Sequence, residues 1–237
     1  MRHGTGRRLL LLVLLFSFFC ALGAGQMLEQ ARANTLAGRG IASAAYRRDF
    51  YSQEMWEEEG LLSRECRSFL KKVRKDSACF PVPASSADPS LTVSYEDSWM
   101  YERSYKGTSG HEGTDIMADT GERGLYPVLS ISDGTVTNLG WLELGGWRVG
   151  ITSPSGVYYY YAHLDSYADI REGDAVKAGQ LLGFMGDSGY GPEGTEGKFP
   201  VHLHLGVYSW DTGEEISVNP YRLLRKLEER RLKYAYS

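Results

Sequence analysis

The stretch Val201-His202-Leu203-His204-Leu205-Gly206-Val207 alternates strictly between apolar and other residues. A side-chain period of two is that of a β-strand, so Val201, Leu203, Leu205 and Val207 share one face. His202 and His204 share the other, their Cα atoms roughly 6.6 Å apart at about 3.3 Å of rise per residue. Two imidazoles side by side repel each other when both are protonated. A metal ion gives them a reason to be there; two solvent-facing histidines are the plainer alternative. Such a strand needs neighbours. Short β-type runs supply them at Gly134-Thr135-Val136, at Trp147 to Ile151 and at Val157 to Ala162, separated by Gly, Asp, Ser and Asn turns. The chain is therefore expected to be mainly β, a sheet or partial barrel.

Residues 26–80 have a different character and read as a polar helical segment. Leu62, Cys66, Phe69 and Val73 recur at helical offsets and form one apolar stripe. The stripe suits packing on the body, and an arm for a protein partner is the other use. Phe80-Pro81-Val82-Pro83 ends the helical pattern, placing a domain boundary near residue 81. Asn219-Pro220 then starts a second helix, expected over 220–233, with Leu223, Leu224 and Leu227 on its apolar side.

The first 25 residues read as a signal peptide. Arg2, Arg7 and Arg8 precede an apolar run from Leu9 to Leu22 and a small-residue stretch, Ala21 to Gly25. As a helix the run spans roughly 21 Å, short of a hydrocarbon core of roughly 30 Å, so export is favoured over an uncleaved anchor. Losing three arginines and no acid from a chain of formal charge −4 leaves −7. No basic stripe for nucleic acid remains, and no later apolar run could form a stable membrane span. Cys66 and Cys79 are left, either as a disulfide suited to an oxidising compartment or as two buried thiols.

The histidines carry the chemistry. His3 lies in the leader; the other four, His111, His163, His202 and His204, all fall in the β-rich part. Gly110-His111-Glu112-Gly113-Thr114-Asp115 reads as a loop entering a strand, with an imidazole and a carboxylate four apart. Tyr158 to Tyr161 run into Ala162-His163-Leu164-Asp165, where alternation puts Tyr159, Tyr161 and His163 on one face. The tyrosines can line a substrate groove or pack a sheet. One carboxylate and two histidines make three protein ligands, leaving the fourth position of a catalytic zinc site to water. The residues alone do not decide which histidine of the 202/204 pair would bind metal.

GHEGTD, YAHLD and HLH, in that order, resemble the lysostaphin-type zinc peptidases, which cleave peptidoglycan peptides. Supporting stretches are similar too: Pro127-Val128 through Asp133-Gly134-Thr135-Val136, Arg171 to Gly183, and Gly186-Asp187-Ser188-Gly189. The resemblance covers roughly residues 100–220. It implies a small antiparallel β domain within 81–237, one zinc per chain, and His111, Asp115 and His204 as ligands. It also implies His202 as general base or transition-state stabiliser, and His163 as the histidine that orients water or supports the oxyanion. Peptidoglycan is then the partner, in the cell envelope or outside the cell. A non-hydrolytic activator of another wall hydrolase is the alternative. The sequence departs from the family's common form in the longer link Tyr190 to Val201, which is expected to border the groove.

Overall fold

The computed structural model describes residues 41–43, 64–103, 105, 109–211, 213 and 215–237. The leader read at 1–25 and most of the segment 26–63 lie outside them. After β1 (Ile41–Ser43) come helix α1 (Arg64–Asp76) and four short strands: β2 (Ala84–Ser85), β3 (Val93–Tyr95), β4 (Glu102–Arg103) and β5 (Ser109–Gly110). The body follows as β6 (Thr114–Ala118), β7 (Pro127–Leu129), β8 (Gly134–Leu142), β9 (Gly146–Thr152), β10 (Tyr158–Tyr167), β11 (Ala175–Val176), β12 (Leu181–Met185), β13 (His202–Ser209) and β14 (Ile216–Val218). Helix α2 (Tyr221–Leu227), a 3-10 turn (Glu228–Arg230) and β15 (Lys233–Tyr234) close the chain.

The main sheet runs β1-β14-β13-β10-β9-β8-β11, with every pairing antiparallel. The expected mainly β, antiparallel architecture is thus the one observed. Strand β13 sits at the centre of the functional side. One edge pairs with β10; the other is shared, its start by β6 and its end by β14. Alternation works as the sequence demands, since Leu203, Leu205 and Val207 are buried together with Val149 and Ile151 of β9.

Helix α1 covers this core. Phe69, Leu70 and Val73 join the same apolar cluster as the sheet residues. Asp76 at its end accepts hydrogen bonds from Ser153 Oγ (2.6 Å) and Ser155 Oγ (2.9 Å), fastening the helix to the β9–β10 turn. Helicity does not run through the whole of 26–80, because Ile41–Ser43 is a strand that pairs with β14. There, ladder bonds to an open sheet edge are available, and a helix could not use them.

One more expectation needs correction. The C-terminal helix stops well before residue 233. Asn219 caps it as read, its Oδ1 accepting from Tyr221 N at 2.9 Å. Arg231 then turns extended and donates to the carbonyls of Val82 (2.9 Å) and Pro83 (3.3 Å), and β15 pairs with β2. Tertiary partners thus outcompete the weak helical preference of the tail. The side chain of Cys66 lies outside the described residues, and with it the question of its pairing with Cys79. Cys79 is a free, buried thiol whose Sγ donates to Ser130 O at 3.3 Å.

Candidate metal centre

Three side chains, two from neighbouring strands and one from a loop, meet at one point. His204 on β13 and Asp115 on β6 are direct cross-strand partners. Opposed positions bring Cβ atoms to within about 5.5 Å, so the pair is a consequence of register. His111 reaches the same point from the loop before β6. His111 Nε2 lies 3.0 Å from Asp115 Oδ1 and 3.0 Å from His204 Nδ1, and His204 Nδ1 lies 2.9 Å from Asp115 Oδ1. The close approach requires Gly113, where an added Cβ would stand 2.4 Å from His204 Cε1.

The donor set fits a zinc-like ion. A tetrahedral ion with bonds of about 2.0–2.1 Å spaces its ligands by about 3.3 Å, a few tenths more than the triangle seen here. Among the described residues, these three form the group able to hold such an ion. His111 and Asp115 are oriented from behind. His111 Nδ1 sits 3.2 Å from Ser98 O, an acceptor that keeps the proton there and leaves the Nε2 lone pair to the centre. Arg103 Nη2 donates to Asp115 Oδ2 at 2.5 Å, so Oδ1 is the oxygen left for an ion. Burial opposes charge on Asp115, but hydrogen bonding with His111 and His204 and the charge interactions with His204 and His202 outweigh it and hold the carboxyl well below its ordinary range. Arg103 carries no motif in the sequence, and only the β4–β5 hairpin brings it near. Glu112 stays out of the group, accepting from Ser217 Oγ at 2.6 Å.

His163 and His202 face the centre without joining it. Their rings are 4.7 Å apart, and His202 Nε2 is 3.8 Å from Asp115 Oδ1. His202 Nδ1 donates to Pro200 O at 2.8 Å and His163 Nδ1 to Ser188 O at 2.7 Å, so each presents Nε2 as an acceptor. Burial pushes both imidazoles below the usual histidine range, His163 furthest because His202 and His204 also oppose its charge.

The approach of His163 depends on a β-bulge. Tyr161 pairs with Val149, but the next partners are Leu164 and Trp147, so β10 holds one residue more than β9 across that interval. His163 takes a left-handed backbone, φ 64°, and Leu164 returns to the core. The face-sharing inferred from simple alternation is therefore corrected. Tyr159 and Tyr161 point into the core at 0 % exposure, with hydroxyls bound to Ser77 Oγ and Ile131 N, and they line no groove. Tyr160, one residue out of phase, is the tyrosine that faces the centre.

A groove of about 700 Å³ crosses the site between Tyr105, Leu144, Tyr190 and Tyr208. The long link after Gly189 borders it as expected. Phe199 lies 4.6 Å from the His163 ring and 5.1 Å from that of His202, and Tyr190 packs on Phe199 at 5.0 Å. Arg123 pins the link to the body through Glu196 (2.5 Å) and Asp165 (3.2 Å).

The depressed histidines carry a stability prediction. Folded His163, His202 and His204 stay neutral at pH values where the unfolded chain, with ordinary values near 6.5, takes up protons. The unfolded state then binds more protons, so stability is full above about pH 6.5 and is lost as pH falls. Asp115 adds to the same trend nearer pH 4. The urea midpoint of metal-free protein should be lower at pH 5.5 than at pH 7.5; equal midpoints would contradict the buried neutral assignment.

A His–Asp–His centre flanked by two neutral imidazoles in an open groove has the donor set that a mononuclear metal site of the hydrolytic kind needs. A model of peptidase family M23 matches residues 109–220, which include all four of these histidines and Asp115. A crystal structure named for a glycyl-glycine endopeptidase, lytM, from Ruminococcus gnavus is 53 % identical, with a TM-score of 0.66, and the similarity covers 78 % of this chain and 74 % of that one. The L-Ala–D-Glu endopeptidase of Bacillus subtilis is 43 % identical over 150 residues, 63 % of this chain and 43 % of the relative. Lysostaphin of Staphylococcus simulans is 35 % identical over 97 residues, 40 % of this chain and 17 % of the relative. The chain thus belongs to peptidase family M23. It spans less than half the length of these two curated relatives. Among the described residues no helix is long and apolar enough to cross a membrane.

Proposed function

We propose that this chain is a zinc-dependent endopeptidase that hydrolyses amide bonds in the peptide part of bacterial peptidoglycan. The observation that carries this reading is the convergence of His111, Asp115 and His204 on one point, with two neutral imidazoles aimed at it. The names of the relatives, an L-Ala–D-Glu endopeptidase and a glycyl-glycine endopeptidase, support the substrate class. The leader-like residues 1–25 fit delivery to the cell envelope.

His111, Asp115 and His204 would hold one zinc ion. Bound there, zinc supplies Lewis acidity, polarising a scissile carbonyl and lowering the pKa of a water toward about 7. The protein's own groups handle the proton. His202, fixed by Pro200 O, has an Nε2 lone pair open to the groove and serves as general base. His163 is locked by Ser188 O with Nε2 likewise an acceptor, so it orients the attacking water. After proton uptake the imidazolium becomes the donor that the leaving amine needs. Phe199 and Tyr190 shield these rings from bulk solvent, which strengthens each hydrogen bond.

The test is digestion of purified peptidoglycan by the full chain, with and without chelator, followed by mass spectrometry of the released fragments. New amino termini should appear, vanish with chelator and return on adding zinc. New reducing sugar ends in place of amino termini, or no release by zinc-loaded protein, would overturn the reading.

A further inference from the structure

The outer face of the sheet continues past the metal centre into a second hollow. It shares Leu142, Tyr160, Tyr208 and Glu215 with the groove, and adds Arg148, Tyr158 and Trp210. Its floor is built flat. Glycines lie beneath the tyrosine rings: an added Cβ would stand 2.1 Å from Tyr158 Oη at Gly150 and 2.4 Å from Tyr208 Cε2 at Gly206. A branched backbone there would lift the rings and block the way.

Arg148 is the single cation among the residues lining this hollow. Its Nη1 is buried and has no hydrogen-bond partner. Glu215 lines the same hollow and makes no ion pair with Arg148. A guanidinium is not deprotonated in proteins, and a buried N–H of it left without an acceptor costs desolvation that a bound carboxylate would return. On β9, Arg148 faces the same side as Gly150, whose cross-strand partner is Tyr160. Tyr160 in turn opposes Gly206, two residues from His204. Arg148 is thus two strands from the metal ligand, about 10 Å at about 4.8 Å per strand, or roughly three residues of extended peptide.

We infer that Arg148 binds a free carboxylate on the substrate peptide, two or three residues from the scissile bond, and so selects acidic over amidated peptides. The inference rests on the peptidoglycan endopeptidase reading and deepens it by assigning substrate charge. The aromatic floor holds the peptide backbone, and the guanidinium takes the carboxylate in a charge-assisted pair.

The test compares native peptidoglycan with the same material after chemical amidation of its carboxylates, using the full zinc-loaded chain and its Arg148→Gln variant. Zinc content and thermal unfolding are measured for both. Wild type should cut the native material about 10–100-fold faster at limiting substrate, the range of one charge-assisted hydrogen bond. Arg148→Gln should lose that preference, through KM more than kcat, with zinc content unchanged. A preference that survives in the variant, or equal cutting of both materials by wild type, overturns the subsite and leaves the peptidase reading standing. No cutting of either material by wild type overturns the peptidase reading, and the subsite with it.

Discussion

An alanine at position 204 is expected to give a folded chain that holds almost no zinc and releases no peptidoglycan fragments. His204 supplies one of three donors and also fixes Asp115, its cross-strand partner. Loss of an outer partner alone costs about 10–100-fold in metal affinity, and loss of a direct ligand should exceed about 100-fold. The fold should persist, because Leu203 and Leu205 on the opposite face, fully buried, anchor the strand. Competition with a chromogenic chelator reads the affinity, and thermal unfolding of the metal-free proteins reads the fold. Equal zinc retention by variant and wild type would remove His204 from the ligand set.

Replacing His163 with alanine should separate metal binding from turnover. The ring stands outside the donor triangle, so zinc content should match wild type. With its acceptor gone from the water position, kcat should fall about 10²–10⁴-fold, the usual contribution of a positioned acid or base. KM should change little, since the groove walls at Tyr190 and Tyr208 remain. Single-turnover digestion of zinc-loaded protein measures the effect. A variant that lost zinc in step with activity would show His163 to be part of the metal site.

Much of this arrangement is legible along the chain because it depends on short-range regularity. The period of two in 201–207 gives a strand and puts His202 and His204 on one face, and the observed β13 keeps it. The glycines of GHEGTD mark a loop entering a strand, and Gly113 proves to be the close approach that such a residue permits. The same rule fails at Tyr159, Tyr161 and His163. A bulge adds a residue without leaving a mark in composition, and it reverses which tyrosine faces the groove. Arg103, Ser98 and Ser188 were invisible for another reason. Each acts on a residue more than ten positions away, through contacts set by the sheet. The tail departs from the helix expected over 228–233 because Arg231 finds acceptors some 150 positions earlier, and no local propensity encodes such a pairing.

The left-handed backbone at His163 has a consequence of its own. Glycine alone rests there without cost, and a residue with a Cβ carries a conformational penalty of about 1–2 kcal/mol. The ring answers that penalty with contacts of its own, packing on Phe199 and Tyr190 and donating from Nδ1 to Ser188 O. A glycine would be free of the strain but would empty the space beside Phe199 and leave the carbonyl of Ser188 without its donor, so this corner trades backbone comfort for a ring held in one orientation.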